Sequence, residues 1–92
     1  MKSNIKFSIV VISLNTKNDF KETISSIYKQ KYNNFEIIII DGNSSDGTVL
    51  EINKLNKKIK KKVIENDKGI YHAMNKGIKY ISGDLTIFLN SG

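Results

Sequence analysis

The sequence has no cysteine, no proline, no tryptophan and no arginine, and histidine occurs once, at His72. Without cysteine there is no disulfide, no thiolate zinc site and no thiol nucleophile. A single histidine leaves Ser/His/Asp catalysis dependent on His72, and no nucleophile-elbow sequence accompanies it. No stretch approaches the ~20 apolar residues needed to cross a bilayer. The loop after the first apolar run, Ser13-Leu14-Asn15-Thr16-Lys17-Asn18, lacks the glycines of a dinucleotide fingerprint, and no Walker lysine motif occurs. The common glycine-cradled phosphate sites are thereby set aside.

What remains is a chain of 92 residues, 39% hydrophobic and 26% charged, with 15 basic and 9 acidic side chains and a net charge of +6. That length allows one small domain, burying roughly 60–65% of its unfolded surface. A core this small without staples is expected to be marginally stable. The positive charge resembles a nucleic-acid footprint, but every basic residue is lysine, and arginine does most bidentate base and phosphate reading. Lysine, isoleucine and asparagine make up nearly half the chain, a pattern of AT-rich coding. No nucleic-acid partner is expected. The densest run, Lys57-Lys58-Ile59-Lys60-Lys61-Lys62, is placed at the end of a predicted helix as a solvated face. Peripheral contact with anionic lipid is its next reading.

The N-terminal apolar run is short, broken by Ser8 and followed by polar residues without a small-residue cleavage site. It reads as a strand, and a cytoplasmic location is expected, with contact at the inner face of the membrane as the variant. Phe7 to Ser13 and Phe35 to Ile40 are β-branched runs suited to buried parallel strands. Phe20, Ile24, Ile27 and Tyr28 recur at helical spacing, with Asn18 or Asp19 as N-cap. A second helix is expected from about Thr48 to Lys60, with Asp46 as its cap, followed by a short strand from Lys62 to Glu65. Ile70, Ala73, Met74, Gly77, Ile78 and Ile81 define one face of a third helix, and Leu85 to Leu89 a last strand. The order βαβαβαβ predicts a Rossmann-like parallel α/β sheet. Ligands of such sheets bind beyond the carboxyl ends of the strands.

The loop after the second strand, Asp41-Gly42-Asn43-Ser44-Ser45-Asp46-Gly47-Thr48, is the richest in polar groups. Asp41 at a strand end can accept a hydrogen bond from a base or a ribose, or simply close the strand. Asp46 suits a helix cap more than a ligand. In Asn66-Asp67-Lys68-Gly69-Ile70-Tyr71-His72, the helix start would point at the ligand edge, where free N–H groups favour anions. Lys68-Gly69 also reads as a plain turn. His72 falls nearly opposite the apolar face and has no assigned role.

Four segments, in order and spacing, resemble the start of a family 2 glycosyltransferase of the GT-A fold. They are Ser8 to Ser13, Ile39 to Thr48, Asp67 to Gly77, and Gly83 to Gly92, the last similar to the strand leading into that family's DXD motif. The resemblance implies an inverting transfer of a sugar from a nucleotide-sugar donor, typically a UDP-sugar, to a glycan or lipid-linked acceptor in bacterial polysaccharide synthesis. It implies that Ser13, Leu14, Asn15, Asp41 and Asn43 hold the nucleoside and that Asp67 and Lys68 lie beside the diphosphate. A divalent metal, Mn2+ or Mg2+, is expected for a full-length enzyme of this kind.

The chain departs from the family pattern in three places. Gly42 stands where many relatives carry a second acid, and His72 where many carry an acid. Asn90, Ser91 and Gly92 occupy the DXD position, so the metal carboxylate and the general base are expected beyond these residues. The expectation is therefore a single partial GT-A domain over 1–92, truncated at the DXD position, with no catalytic residue of its own. Such a half-domain is expected to leave an apolar face or a strand edge uncovered, and so to self-associate or be poorly soluble. The competing reading is a non-catalytic binding or assembly module on a degenerate GT-A fold. A sugar nucleotidyltransferase fits less well, lacking its glycine-rich phosphate loop.

Overall fold

The computed structural model describes residues 4–91. Its elements run β1 (Phe7–Ser13), α1 (Lys17–Tyr28), β2 (Phe35–Asp41), α2 (Thr48–Asn53), β3 (Ile59–Ile64), α3 (Ile70–Ile78) and β4 (Leu85–Asn90). The four strands form one parallel sheet in the order β3-β2-β1-β4. The expected parallel α/β architecture is what the chain adopts.

Successive side chains of a strand point to opposite faces, so β1 and β2 feed two cores. Ile9, Val11, Ile37 and Ile39 meet Phe20, Ile24 and Ile27 of α1 and Ile52 of α2 on one face. Val10, Ile12, Ile38 and Ile40 meet Ala73 of α3 on the other. Gly77 permits the close seating of α3, since a Cβ there would lie 2.6 Å from Val10 Cγ1. Central strands buried on both faces need apolar runs rather than alternation, which is why the four isoleucines 37–40 are all fully buried.

Three local expectations are corrected. The second helix stops at Asn53 rather than Lys60, and Ile59 to Ile64 form β3, so the lysine run lies largely on an edge strand. Pairing of β-branched Ile59, Val63 and Ile64 with β2 outweighs the helical spacing of the apolar residues. A register shift between Ile37 and Ile38 falls opposite this run. The lysines are partly engaged: Lys57 lies over the Tyr28 ring, Lys58 over Phe35 and Lys61 over Tyr80. Charged side chains on an edge strand discourage pairing with another sheet.

The first helix begins at Lys17 with Thr16 as N-cap, not Asn18 or Asp19. Thr16 gives no side-chain cap; its hydroxyl lies 3.2 Å from that of Ser91. The Lys17 N–H instead donates to Asp46 at 3.0 Å, and Asp46 also accepts from the Thr48 N–H at 3.1 Å. One carboxylate therefore serves the first turns of two helices, although Gly47, in left-handed backbone, and not Asp46 as expected, is the N-cap of the second. The Thr48 hydroxyl bonded to Asp46 holds this carboxyl below its usual range. Finally, Ile70 and Ile78, expected on the buried face of α3, are exposed, and Ala73 and Gly77 carry the contact.

Candidate functional site

The chain order reverses direction between β1 and β4. The first three strands are laid outward from β1, and β4 returns to its other side. A crevice opens at such a switch point, outside the carboxyl ends of the strands. Here a cleft of about 250 Å³ is lined by Ile12, Ser13, Leu14 and Thr16 at the end of β1 and by Asn90 at the end of β4. Its wall on the α3 side is Asp67, Gly69, Ile70 and Ala73.

The loops behind the cleft are stitched together by short hydrogen bonds. Asp41 is fully buried, and its carboxylate accepts from the Ser13 hydroxyl, the Ser44 hydroxyl and the Ser44 N–H, each at 2.7 Å. Ser44 Oγ in turn accepts the Asn15 N–H at 2.8 Å, and Asn15 Oδ1 accepts the Ser45 N–H at 2.7 Å. The Gly42 N–H donates to the Ser13 carbonyl at 2.9 Å. Asn15 and Asn43 adopt left-handed backbone, with φ of 52° and 71°. Asparagine tolerates that region better than other side-chain-bearing residues. The β1 and β2 loops thus form one rigid ledge.

Gly42 lies where this ledge meets the turn after β3. A Cβ at this position would stand 3.2 Å from Asp67 Oδ2 and 3.2 Å from Leu14 Cδ1. Asp67 therefore approaches the first two loops from across the cleft, while its Oδ1 accepts the Gly69 N–H at 3.1 Å.

Of the residues singled out from sequence, Ser13, Leu14 and Asp67 line the cleft together. Asn15 and Asp41 stand in the ledge behind it, Asp41 with its carboxylate turned inward. Asn43 and Lys68 are exposed and outside the cleft lining. Ile12, Thr16, Gly69, Ile70 and Ala73, also in the lining, are not among the site residues expected from sequence. Ser44, the hydroxyl that joins the loops, carries a legible signal: an Asp three residues before a Ser favours a local side-chain-to-backbone turn.

At the DXD position the donor chemistry is poor. Asn90 offers a neutral amide. Ser91 is 2% exposed, with its hydroxyl donating to the Ile12 carbonyl at 3.1 Å. Gly92 lies outside the described residues. Among the described residues no three His, Cys, Asp or Glu side chains converge. Divalent cations of the Mg2+ and Ca2+ kind take carboxylate oxygens, so the side chains present do not fit one.

The family model described as glycosyl transferase family 2 matches residues 8–91. Among curated relatives, the chain is 36% identical over 85 residues to the UDP-Glc:alpha-D-GlcNAc-diphosphoundecaprenol beta-1,3-glucosyltransferase WfgD of Escherichia coli. That match covers 91% of this chain and 34% of the relative. Among solved structures, TarS 1–349 of S. aureus in complex with UDP-GlcNAc superposes with a TM-score of 0.82 at 27% identity, covering 95% of this chain and 26% of that one. A mannosyltransferase of Pyrobaculum calidifontis in complex with GDP-Man and Mn2+ superposes with a TM-score of 0.86 at 19% identity, covering 97% and 28%. The chain spans about a third of the length of the curated relatives it matches.

Proposed function

From the premise that this chain belongs to glycosyl transferase family 2, we propose that it is the nucleotide-sugar-binding part of an inverting glycosyltransferase. The donor is a UDP-sugar, and the acceptor a glycan or lipid-linked sugar in bacterial polysaccharide synthesis. The observation that carries this is the cleft at the strand-order reversal, where Ser13, Leu14, Asp67 and Asn90 face one space. The names of two similar proteins, one using UDP-Glc and one complexed with UDP-GlcNAc, favour uridine over guanosine. Residues 1–92 act as one partial GT-A domain.

The cleft's 250 Å³ is below the roughly 300–1,000 Å³ that encloses a drug-sized ligand. It takes the base, with the ribose and diphosphate lying over its rim. Ser13 and Leu14 border the base, Asn15 and Asp41 keep the β1 and β2 loops in place around it, and Asn43 stands exposed in the loop after β2 towards the nucleoside. Asp67 bounds the far side, and Lys68, exposed beside it, supplies a cation to the diphosphate. In the transfer an acceptor hydroxyl attacks the anomeric carbon and the nucleoside diphosphate departs. The hydroxyl proton goes to a general base outside the described residues, and the side chains at the end of β4 do not fit a divalent metal. The reaction belongs to the cytoplasm, with peripheral contact at the inner face of the membrane as the variant.

Titration of the chain with UDP, followed by calorimetry or amide shifts, tests this. We expect weak, saturable binding that Mn2+ leaves unchanged. No binding at millimolar UDP would remove the nucleotide assignment. Sugar transfer catalysed by these 92 residues alone would refute the placing of catalysis elsewhere.

The reading as a non-catalytic assembly module has its own support. An apolar groove of about 590 Å³ runs beside the outer strand β4, lined by Phe7, Ile9, Ile27, Phe35, Ile87 and Leu89 among others. Leu85 and Ile87 are 51% and 40% exposed. That surface favours self-association, and sedimentation showing only monomer would exclude it. Salt-sensitive binding to anionic vesicles through Lys57 to Lys62, without UDP binding, would favour the module over the transferase.

A further inference from the structure

The turn between β3 and α3 carries Asp67 and Lys68, and two side chains of α3 reach back to hold it. His72 Nδ1 accepts the Lys68 N–H at 2.7 Å. Lys76, four residues on and so on the same helix face, donates from Nζ to the Asn66 carbonyl at 2.8 Å and stands 4.0 Å from Glu65. The Lys76 side chain is only 12% exposed, so its ammonium is committed to this turn. Gly69, the N-cap of α3, has φ of 115° and no side chain to cap the helix. A side chain on the third helical residue that reaches back to a preceding N–H is one arm of a capping box, usually supplied by Glu or Gln. Here an imidazole supplies it, one residue further out.

We propose that His72 is a positioning residue for the cleft: through Nδ1 it fixes the Lys68 amide and thereby the placing of Asp67 and Lys68 against the bound nucleotide. This rests on the cleft being the nucleotide site. The cleft wall is otherwise rigid, because the β1 and β2 loops are locked by Ser13, Asp41 and Ser44. The turn after β3 is held from α3 by His72 and Lys76, with His72 as the side-chain acceptor that α3 supplies, and among the described residues it carries the only carboxylate in the cleft lining.

Neutral imidazole has one accepting and one donating nitrogen, so the bond from the Lys68 N–H to Nδ1 places the ring proton on Nε2.

The test compares the wild-type chain with His72→Ala and His72→Gln by amide hydrogen exchange and UDP titration at one fixed pH. The Lys68 amide should be protected from exchange in the wild type and in His72→Gln, and unprotected in His72→Ala. UDP affinity should fall about five-fold in His72→Ala, the effect of one hydrogen bond, and be restored in His72→Gln. A Lys68 amide whose protection is unchanged in His72→Ala would overturn the proposal. So would equal UDP affinity of the wild type and His72→Ala. A wild-type chain that binds no UDP overturns the cleft reading itself, and reduces the His72 bond to a helix cap.

Discussion

Each end of the β1–β2 ladder is closed by a serine–carboxylate pair, and the two pairs have different surroundings. Ser8 stands opposite Glu36 and Ser13 opposite Asp41, and both hydroxyls donate at 2.7 Å. At the amino end, Glu36 also accepts from the Ser82 N–H at 2.8 Å and the Ser82 hydroxyl at 2.6 Å. Lys6 and Lys60 approach it at 3.1 and 3.9 Å. Ser8 Oγ then accepts the Gly83 N–H at 2.7 Å. That end is a finished network of neutral donors and cations, joining β1, β2 and the turn before β4. At the carboxyl end, Asp41 holds only hydroxyls and one amide, with no ion pair among the described residues. The amino end anchors the sheet; the carboxyl end shapes a surface that is still open to a ligand.

Burial alone would raise the Glu36 carboxyl, but the Ser82 and Ser8 hydrogen bonds and Lys6 outweigh it and hold it at about 2. Removing Glu36 should therefore cost most. Glu36→Ala leaves Ser8, Ser82 and Lys6 without their shared acceptor, and urea unfolding should show a loss of about 3 kcal/mol. Asp41→Ala, which strands no cation, should cost about 1–3 kcal/mol. Equal losses would erase the distinction between the two ends.

The same distinction has a pH signature. A folded value of about 2 against an ordinary 4.5 corresponds to about 3 kcal/mol of stability. Because the folded value is depressed, that stability is complete above about pH 4.5 and is lost as pH falls towards 2. Acid unfolding of the wild type should show this slope, and Glu36→Gln should flatten it. A Glu36→Gln variant with an unchanged slope would mean that Glu36 is not the group responsible.

Glycine substitutions sharpen the contrast on a smaller scale. A Cβ on Gly83, at the amino end, would meet the Lys6 carbonyl oxygen and Ser8 nitrogen at 2.8 Å, backbone atoms that cannot yield. Gly83→Ala should cost about 1–3 kcal/mol, as overpacking does. At the carboxyl end, Gly42→Ala meets only the Leu14 and Asp67 side chains, at 3.2 Å. It should cost less than about 1 kcal/mol while weakening UDP binding by displacing Leu14 or Asp67. The reverse order of stabilities would assign the rigid end wrongly. Smallest of all, Lys61→Ala removes a cation over the Tyr80 ring and should change stability by about 0.5–1 kcal/mol.

Much of the fold was legible because its central strands are continuous β-branched runs, as Phe7 to Ser13 and Phe35 to Asp41 show. The α2–β3 boundary was not, because Lys57 to Lys62 suits a helix end and an edge strand equally well until β2 is there to pair with it. Within the site, Ser13, Leu14 and Asp67 were expected from the resemblance to the family, and the cleft brings these three together. The inward turn of Asp41 was not, since it depends on how Ser13 and Ser44 fold back on it. Glu36 escaped notice altogether, as a lone acid beside four isoleucines whose partners lie 28 and 46 residues away. His72, counted from Ile70 as nearly opposite the apolar face, is half-buried because Ala73 and Gly77 form the buried face, and its bond to the Lys68 amide depends on how the turn enters the helix.

The sequence by itself determined the element order, the parallel sheet and the family. Those follow from periodicity and from motifs read within short windows, where local sterics and burial decide. Tertiary structure alone decided which polar groups are spent on holding the fold and which are left for a ligand. Hydrogen bonds of that kind join residues far apart in the chain, and a buried carboxylate is satisfied only when the sheet brings its donors together.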